Sequence, residues 1–349
     1  MSTPTKPKPT SSALSTRRLD SVRNSAIAGV ARSRLQQLLA FATLILIVLF
    51  FTIATPNFLT YINVTGILLS TAVVGILALG TTFVIISGGI DLSIGTGMTL
   101  TSVIAGVLIV NNHVPVLLGV LGAILFGAIM GGFNGLAVAV LKIPPFIATL
   151  AMMLIAEGLS LVITHETPIY FTPPSVTQNT SDVYLWIASG SNPGTSFPTA
   201  VVIFFVVAVI GAILLGRTII GRYAFSIGSN EEATQLSGVN VRKWKIIIYA
   251  ISGIFTGIAG VVLSSRLTSV QPGTGPGYEL QAIAAAVIGG TSLSGGRGSM
   301  LGTVIGALIL AVLTNGLRIM NIPQEWQSVA VGLVILVAVY LDQLRRRES

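Results

Sequence analysis

Ten apolar runs follow one another along the chain, at about 36–55, 64–87, 92–110, 115–141, 144–164, 199–216, 245–264, 278–293, 298–318 and 326–342. Most come close to the roughly 20 residues with which a helix crosses about 30 Å of hydrocarbon. Only 9% of the 349 residues are charged, where a water-soluble domain carries about a quarter. The strict alternation of a membrane β-barrel is missing. The expected fold is therefore all-α: a polytopic transmembrane helical bundle of about ten spans. The run at 278–293 is short and follows PGTGPG at 272–277. It reads either as a short span or as a broken, re-entrant segment, which a bilayer tolerates only where protein or water covers the backbone.

The basic residues orient this bundle. With the N-terminus inside, the inner segments hold 17 of the 19 Lys and Arg, and only Arg266 and Arg318 fall elsewhere. This is the distribution that the positive-inside rule describes, and it puts both termini in the cytoplasm. It also accounts for the net charge of +8 through a lipid bilayer, with no nucleic acid as partner. Residues 1–34, rich in Ser, Thr, Pro, Lys and Arg, are expected to form a disordered basic tail. A membrane domain at 35–344 and a short basic tail at 345–349 follow. Within that domain, 165–198 is the large external loop.

The longest polar interruption is Arg217–Lys245, RTIIGRYAFSIGSNEEATQLSGVNVRKWK. Its five basic residues hold it on the cytoplasmic side. Alternating charge and glycine-bounded turns predict a short helix between Gly228 and Gly238, with Glu231 and Glu232 in a first turn that the helix dipole favours.

Chemistry inside the bundle is sparse. Asp91, flanked by Gly88, Gly89 and Ser93, is expected to cap a helix that starts at about Leu92, because its carboxylate can accept orphan backbone N–H groups. Glu157 is the second carboxylate weighed for a buried role, and a surface position is the preferred one. His113 and His165 both fall in outer loops, so they build no metal set within the bundle. The absence of cysteine removes disulfides, thiolate sites and cysteine nucleophiles. None of the five lysines follows a glycine, so the chain has no G-x-x-x-x-G-K-[ST] phosphate loop. If ATP drives this protein, another subunit binds it; no cofactor is expected on this chain.

Glycine spacing predicts close helix packing. Gly127, Gly131 and Gly135 recur every fourth residue, as do Gly298, Gly302 and Gly306, and Gly253 with Gly257 repeats the pattern. A faint internal repeat pairs GGIDLSIGTG at 88–97 with GGTSLSGGRG at 289–298, and parallel duplication is an architecture that transporters use.

Five segments in order carry a family resemblance: GGIDLSIG (88–95), PPFIATLAMM (144–153), GRYAFSIGSNEEATQLSGVNV (221–241), GYELQAIAAAVIGGTSLSGGRG (277–298) and GALILAVLTNGL (306–317). Together they resemble the membrane permease subunits of bacterial ribose-type monosaccharide ABC importers, from about residue 36 to the end. The resemblance implies a second permease copy, a cytoplasmic ABC ATPase carrying ATP and Mg, and an extracytoplasmic sugar-binding protein, all at the bacterial inner membrane. It also implies an ATPase-coupling role for Gly221, Arg222, Tyr223, Asn230, Glu231, Glu232, Ala233, Thr234 and Gly238, with Thr234 where the coupling-loop pattern has a second alanine. Gly88, Gly89, Asp91, Ser93, Thr149, Met152 and Met153 are the implied pathway or gate positions.

The expected function is inward movement of a small neutral sugar, ribose or another pentose, by alternating access. The alternative is a secondary transporter or facilitator that works without an ATPase. A membrane enzyme is the remaining class, and no nucleophile, metal set or acid/base pair supports it.

Overall fold

The computed structural model describes residues 37–190 and 197–347, with side chains described as far as Tyr340. The N-terminal tail expected at 1–34 lies outside the described residues. Thirteen helices are described: α1 (Gln37–Ala54), α2 (Tyr61–Ile86), α3 (Ile94–Gly106), α4 (Val116–Ala139), α5 (Pro145–Thr164), α6 (Gln178–Ser189), α7 (Thr199–Arg217), α8 (Ile219–Ser229), α9 (Glu231–Leu236), α10 (Val241–Leu267), α11 (Tyr278–Ile288), α12 (Met300–Ile319) and α13 (Gln324–Arg347). A π-helical turn, Val107–Asn111, continues α3. The antiparallel pair β1 (Ile169–Tyr170) and β2 (Ser269–Val270) is the only sheet among the described residues.

Sequence sets the helix starts. Proline at Pro115, Pro144 and Pro198 immediately precedes or opens α4, α5 and α7, where its missing N–H costs nothing. At α9, α10 and α12 a side chain accepts the orphan donor: Asn230 Oδ1 from Ala233 N, Asn240 Oδ1 from Lys243 N and Ser299 Oγ from Gly302 N.

Among the described residues eight helices are long and apolar enough to cross a membrane, against the ten expected. The other two are shorter apolar helices, Tyr278–Ile288 and Gln324–Tyr340. For α11 the cause is local. Gly277, at φ +95°, closes the Pro- and Gly-rich approach, and Gly290, at φ +92°, follows the helix end. Eleven residues rise about 16 Å, half of a hydrocarbon core.

α2 and α10 are the buried axis of the bundle, whereas α1, α4 and α5 turn most of their surface outward. That outer surface is apolar: Phe41, Phe50, Leu125, Phe133, Leu154 and Val162 are all more than half exposed. A contiguous coat of this kind is stable in lipid and a liability in water.

The glycine rows meet as predicted. A Cβ on Gly127 or Gly253 would overlap the other's carbonyl oxygen, and one on Gly131 would overlap the Tyr249 carbonyl, so α4 and α10 touch backbone to backbone. Gly302 and Gly306 of α12 make the same approach to Gly289 and Ala285 at the end of α11. Gly298 instead faces the Ile86 side chain. Within 165–198, β1 and α6 lie on the end of α10, where Tyr184 Oη and Ser264 Oγ are 2.7 Å apart and Ser265 Oγ accepts from Ala188 N at 3.0 Å.

Candidate functional site

The polar stretch folds into α8, α9 and the start of α10. α9 is the expected short helix, with Glu231 and Glu232 in its first turn. Gly238 N donates to Gln235 O and Val239 N to Thr234 O, which closes the C-terminus around a left-handed Gly238 at φ +85°. Glu231 Oε2 is 2.7 Å from Lys245 Nζ of α10. The pair is partly solvated, so it orients α9 more than it stabilises it.

The faces of α9 differ. Thr234 is buried and its hydroxyl donates to Asn230 O at 2.7 Å. A threonine therefore serves where the pattern has alanine, because the polar atom is consumed within the helix. Ala233, Glu232 and Leu236 face out, and Leu236 is 83% exposed. Leu236 was not among the sequence-derived positions; its spacing of three residues from Ala233 was the available signal. Beside α9 an open cavity of ≈ 600 Å³ is lined by Glu231, Gln235, Arg242, Lys245 and Lys142 among others.

The remaining positions for which the resemblance implies coupling lie on α8 and beside it. Gly221 is buried against the Leu215 carbonyl, with no room for a Cβ. Tyr223 packs on Trp244 with ring centroids 4.7 Å apart, while Arg222 is exposed. At the end of α8, Gly228 sits between two glycine-rich turns. A Cβ there would overlap the Ile86 carbonyl and stand 2.6 Å from Gly296 N, whose own N–H donates to Ile86 O at 2.8 Å. Both copies of the faint repeat thus converge on the helix that carries α9.

The structure also brings the Asp91 group together, in a different arrangement from that expected. Helix α3 begins at Ile94, and Ser93 occupies the N-cap position without a side-chain cap. Asp91 lies two residues earlier. Its Oδ1 accepts from Ser93 N at 3.0 Å and Ser93 Oγ at 2.7 Å, and Asn134 Nδ2 of α4 donates to Ser93 Oγ at 2.8 Å. The carboxylate stabilises the turn before the helix, and the expected start at Leu92 is corrected by two residues. Burial pushes the Asp91 carboxyl above the usual carboxylate range, against the opposing pull of the Ser93 and Asn134 hydrogen bonds.

Around this turn, Gly88 adopts φ +82° and Gly89 fits beneath the Tyr249 hydroxyl. Thr149 Oγ1 donates to Pro145 O, and Thr96 Oγ1 donates to the Met153 carbonyl at 2.9 Å. Met152 packs near Leu100 and Met130. These positions tie α3, α4 and α5 together. Sequence reasoning overlooked Glu279, which is 7% exposed at the start of α11, accepts from Gly277 N and lies against Gly95 of α3. Glu157 is only partly buried. Among the described residues no three His, Cys, Asp or Glu side chains group as a metal site.

An apolar, multi-pass helical body with a small charged helix presented at one end is the architecture of a membrane transport permease. The comparisons agree: residues 63–339 match the family described as branched-chain amino acid transport system / permease component, and the chain belongs to that family. It is 42% identical to the ribose import permease protein RbsC of Escherichia coli (strain K12) over 89% of this chain and 95% of that one. It is 41% identical to its namesake in Bacillus subtilis (strain 168) over 88% and 93%. The xylose transport system permease protein XylH of E. coli (strain K12) is 35% identical over 92% and 95%.

Proposed function

We propose that this chain is the inner-membrane permease of an ATP-driven importer that carries a small neutral sugar, ribose or another pentose, into the cytoplasm. The relatives that match nearly end to end carry ribose and xylose in their names, which supports a pentose as cargo. The observation that carries the mechanism is α9: six residues, capped at both ends, with Leu236 and Glu232 turned away from the body. A separate ATPase subunit seats on this helix and the cavity beside it. Movement of the ATPase is then passed through α8 to the turns around Gly228 as a rigid-body displacement. A second permease copy completes the pathway, and an extracytoplasmic binding protein delivers the sugar.

The test is uptake of labelled ribose and xylose into proteoliposomes holding the permease, its ATPase and its binding protein. ATP-dependent accumulation of either sugar is expected. Equal uptake by the permease alone would replace this reading with a facilitator.

A further inference from the structure

The turn that joins α4 to α5 carries a lysine where the backbone favours glycine. Leu141 N donates to Leu136 O and Ile143 N to Ala137 O, and Lys142, between them, stands at φ +55°. A left-handed residue just past a helix end is usually glycine. Lys142 lines the ≈ 600 Å³ cavity beside α9. Arg242 and Lys245, from the start of α10, line it too, and Glu231 is the one carboxylate in the lining among the described residues.

The charges around this hollow do not balance. Lys245 Nζ is paired with Glu231 Oε2 at 2.7 Å, and among the described residues neither Lys142 nor Arg242 has an ion-pair partner. Arg242 stands in the first turn of α10, which contains no acidic residue. The positive end of the helix dipole lies there as well and disfavours a cation. The start of α5 at Pro145 brings a second helix N-terminus to the lining. Two unpaired cations and two positive helix ends around one hollow select an anion. The positive-inside distribution places cations at this surface, but it does not gather them around a single cavity.

The flanks of the same turn select the kind of anion. Leu141, Phe146 and Ile147 are each more than half exposed and continue the apolar coat of α4 and α5. A soluble anion gains nothing from such a rim, whereas a phospholipid meets both features, its headgroup at the cations and its acyl chains along the coat. We propose that the cavity holds the headgroup of an anionic phospholipid from the leaflet on the α9 side, with Lys142 and Arg242 as its cationic contacts. The site requires that the chain sit in a bilayer, not that it import a sugar. Glu231 and Gln235 of α9 border the same cavity, so the lipid ties α9 to the α4–α5 turn, while Glu232, Ala233 and Leu236 stay exposed for the proposed ATPase contact.

For the test, the full chain is purified in a neutral detergent, washed free of lipid and titrated with dioleoyl-phosphatidylglycerol or dioleoyl-phosphatidylcholine. Bound lipid is counted by native mass spectrometry. Phosphatidylglycerol is expected to bind more tightly than phosphatidylcholine by about tenfold or more, because each basic residue beside an anionic lipid is worth about fivefold in affinity. Lys142→Gln and Arg242→Gln should each weaken phosphatidylglycerol about fivefold, and the double variant about 25-fold. Lys142→Arg should retain the parental affinity. So should Lys243→Gln, which alters an exposed cation outside the lining. Positions 142 and 242 are exposed, so the variants should fold, and their unfolding midpoints without lipid check it. Equal affinity for the two lipids, or losses no larger than that of Lys243→Gln, would overturn the site. Displacement of the lipid by inorganic phosphate alone would make the occupant a soluble anion. Loss of ATPase co-purification in Lys142→Gln with unchanged lipid binding would make it a protein carboxylate. Either result overturns the proposal.

Discussion

A Cβ built on Gly295 would stand 2.8 Å from the carbonyl oxygen of Gly228 and 3.0 Å from the Cα of Gly88. Three glycines from three distant parts of the sequence therefore form one bare backbone junction, and it lies at the root of the helix that precedes α9. The contact is backbone against backbone, and it joins the end of α8 to the turns that open α3 and α12.

Gly228→Ala is expected to disturb this junction, because the added methyl would overlap the Ile86 carbonyl. Overpacking of this kind costs about 1–3 kcal/mol. Thermal unfolding in detergent should show a lower midpoint, and ATP-driven uptake should fall more than tenfold. A parental midpoint with parental uptake would show that the turns give way freely.

The proposed ATPase contact at α9 can be tested apart from folding. Leu236→Asp removes an apolar side chain that touches little of its own chain, so the midpoint should stay within about 1 °C while ATPase co-purification and uptake are lost. Glu232→Lys is expected to act in the same direction. At Gly238 an added Cβ would meet no described atom within 4 Å, but φ is +85°. There Gly238→Val should abolish uptake through backbone strain, and Gly238→Asn, which tolerates the left-handed region, should retain most of it.

Removing the cap of α9 tests whether its order matters. Asn230→Ala deletes the acceptor of the Ala233 N–H at 2.8 Å, a change worth about 1 kcal/mol. Hydrogen exchange at 231–236 should quicken roughly fivefold, and uptake should fall in proportion, with the remaining amides unaffected.

Asp91 gives a pH signature. Its native carboxyl is held above the ordinary value by burial, which for a free carboxyl is about 3.9. The folded state therefore binds its proton more tightly than the unfolded chain does. This contribution to stability is complete below the unfolded value and is lost as pH rises through the native one. The midpoint of the parent minus that of Asp91→Asn should accordingly decline as pH is raised above about 4. A difference that grows with pH would mean that the hydrogen bonds from Ser93 and Asn134 outweigh burial.

Much of the molecule could be read from one dimension. Apolar run lengths gave the long helices, and the glycine rows marked faces of close approach because a four-residue spacing presents one helix face; that the α4 row meets α10 comes from the structure. The acidic turn at Glu231 and Glu232 announced α9. Features that depend on the path of an irregular segment were not legible. Glu279 was passed over because it stands at the irregular start of a short apolar run, after the Pro- and Gly-rich 272–277; its burial against Gly95 exists because 271–277 dips to the start of α3. The start of α3 was placed two residues early: the backbone becomes helical at Ile94, with Ser93 at the boundary, and the contact of Ser93 with Asn134 of α4 comes from a distant part of the sequence.

The half-length of α11 has a consequence for the setting in which the protein works. Helices with a broad apolar exterior, such as α1 and α5, adjust their tilt when the surrounding bilayer thickens or thins. α11 has most of its side chains inside the protein and backbone contacts to α12 at Gly289 and Ala285, so its depth is fixed by protein neighbours. A change in lipid chain length would move the outer helices around an element that stays where it is, and the strain would collect in the joints between them.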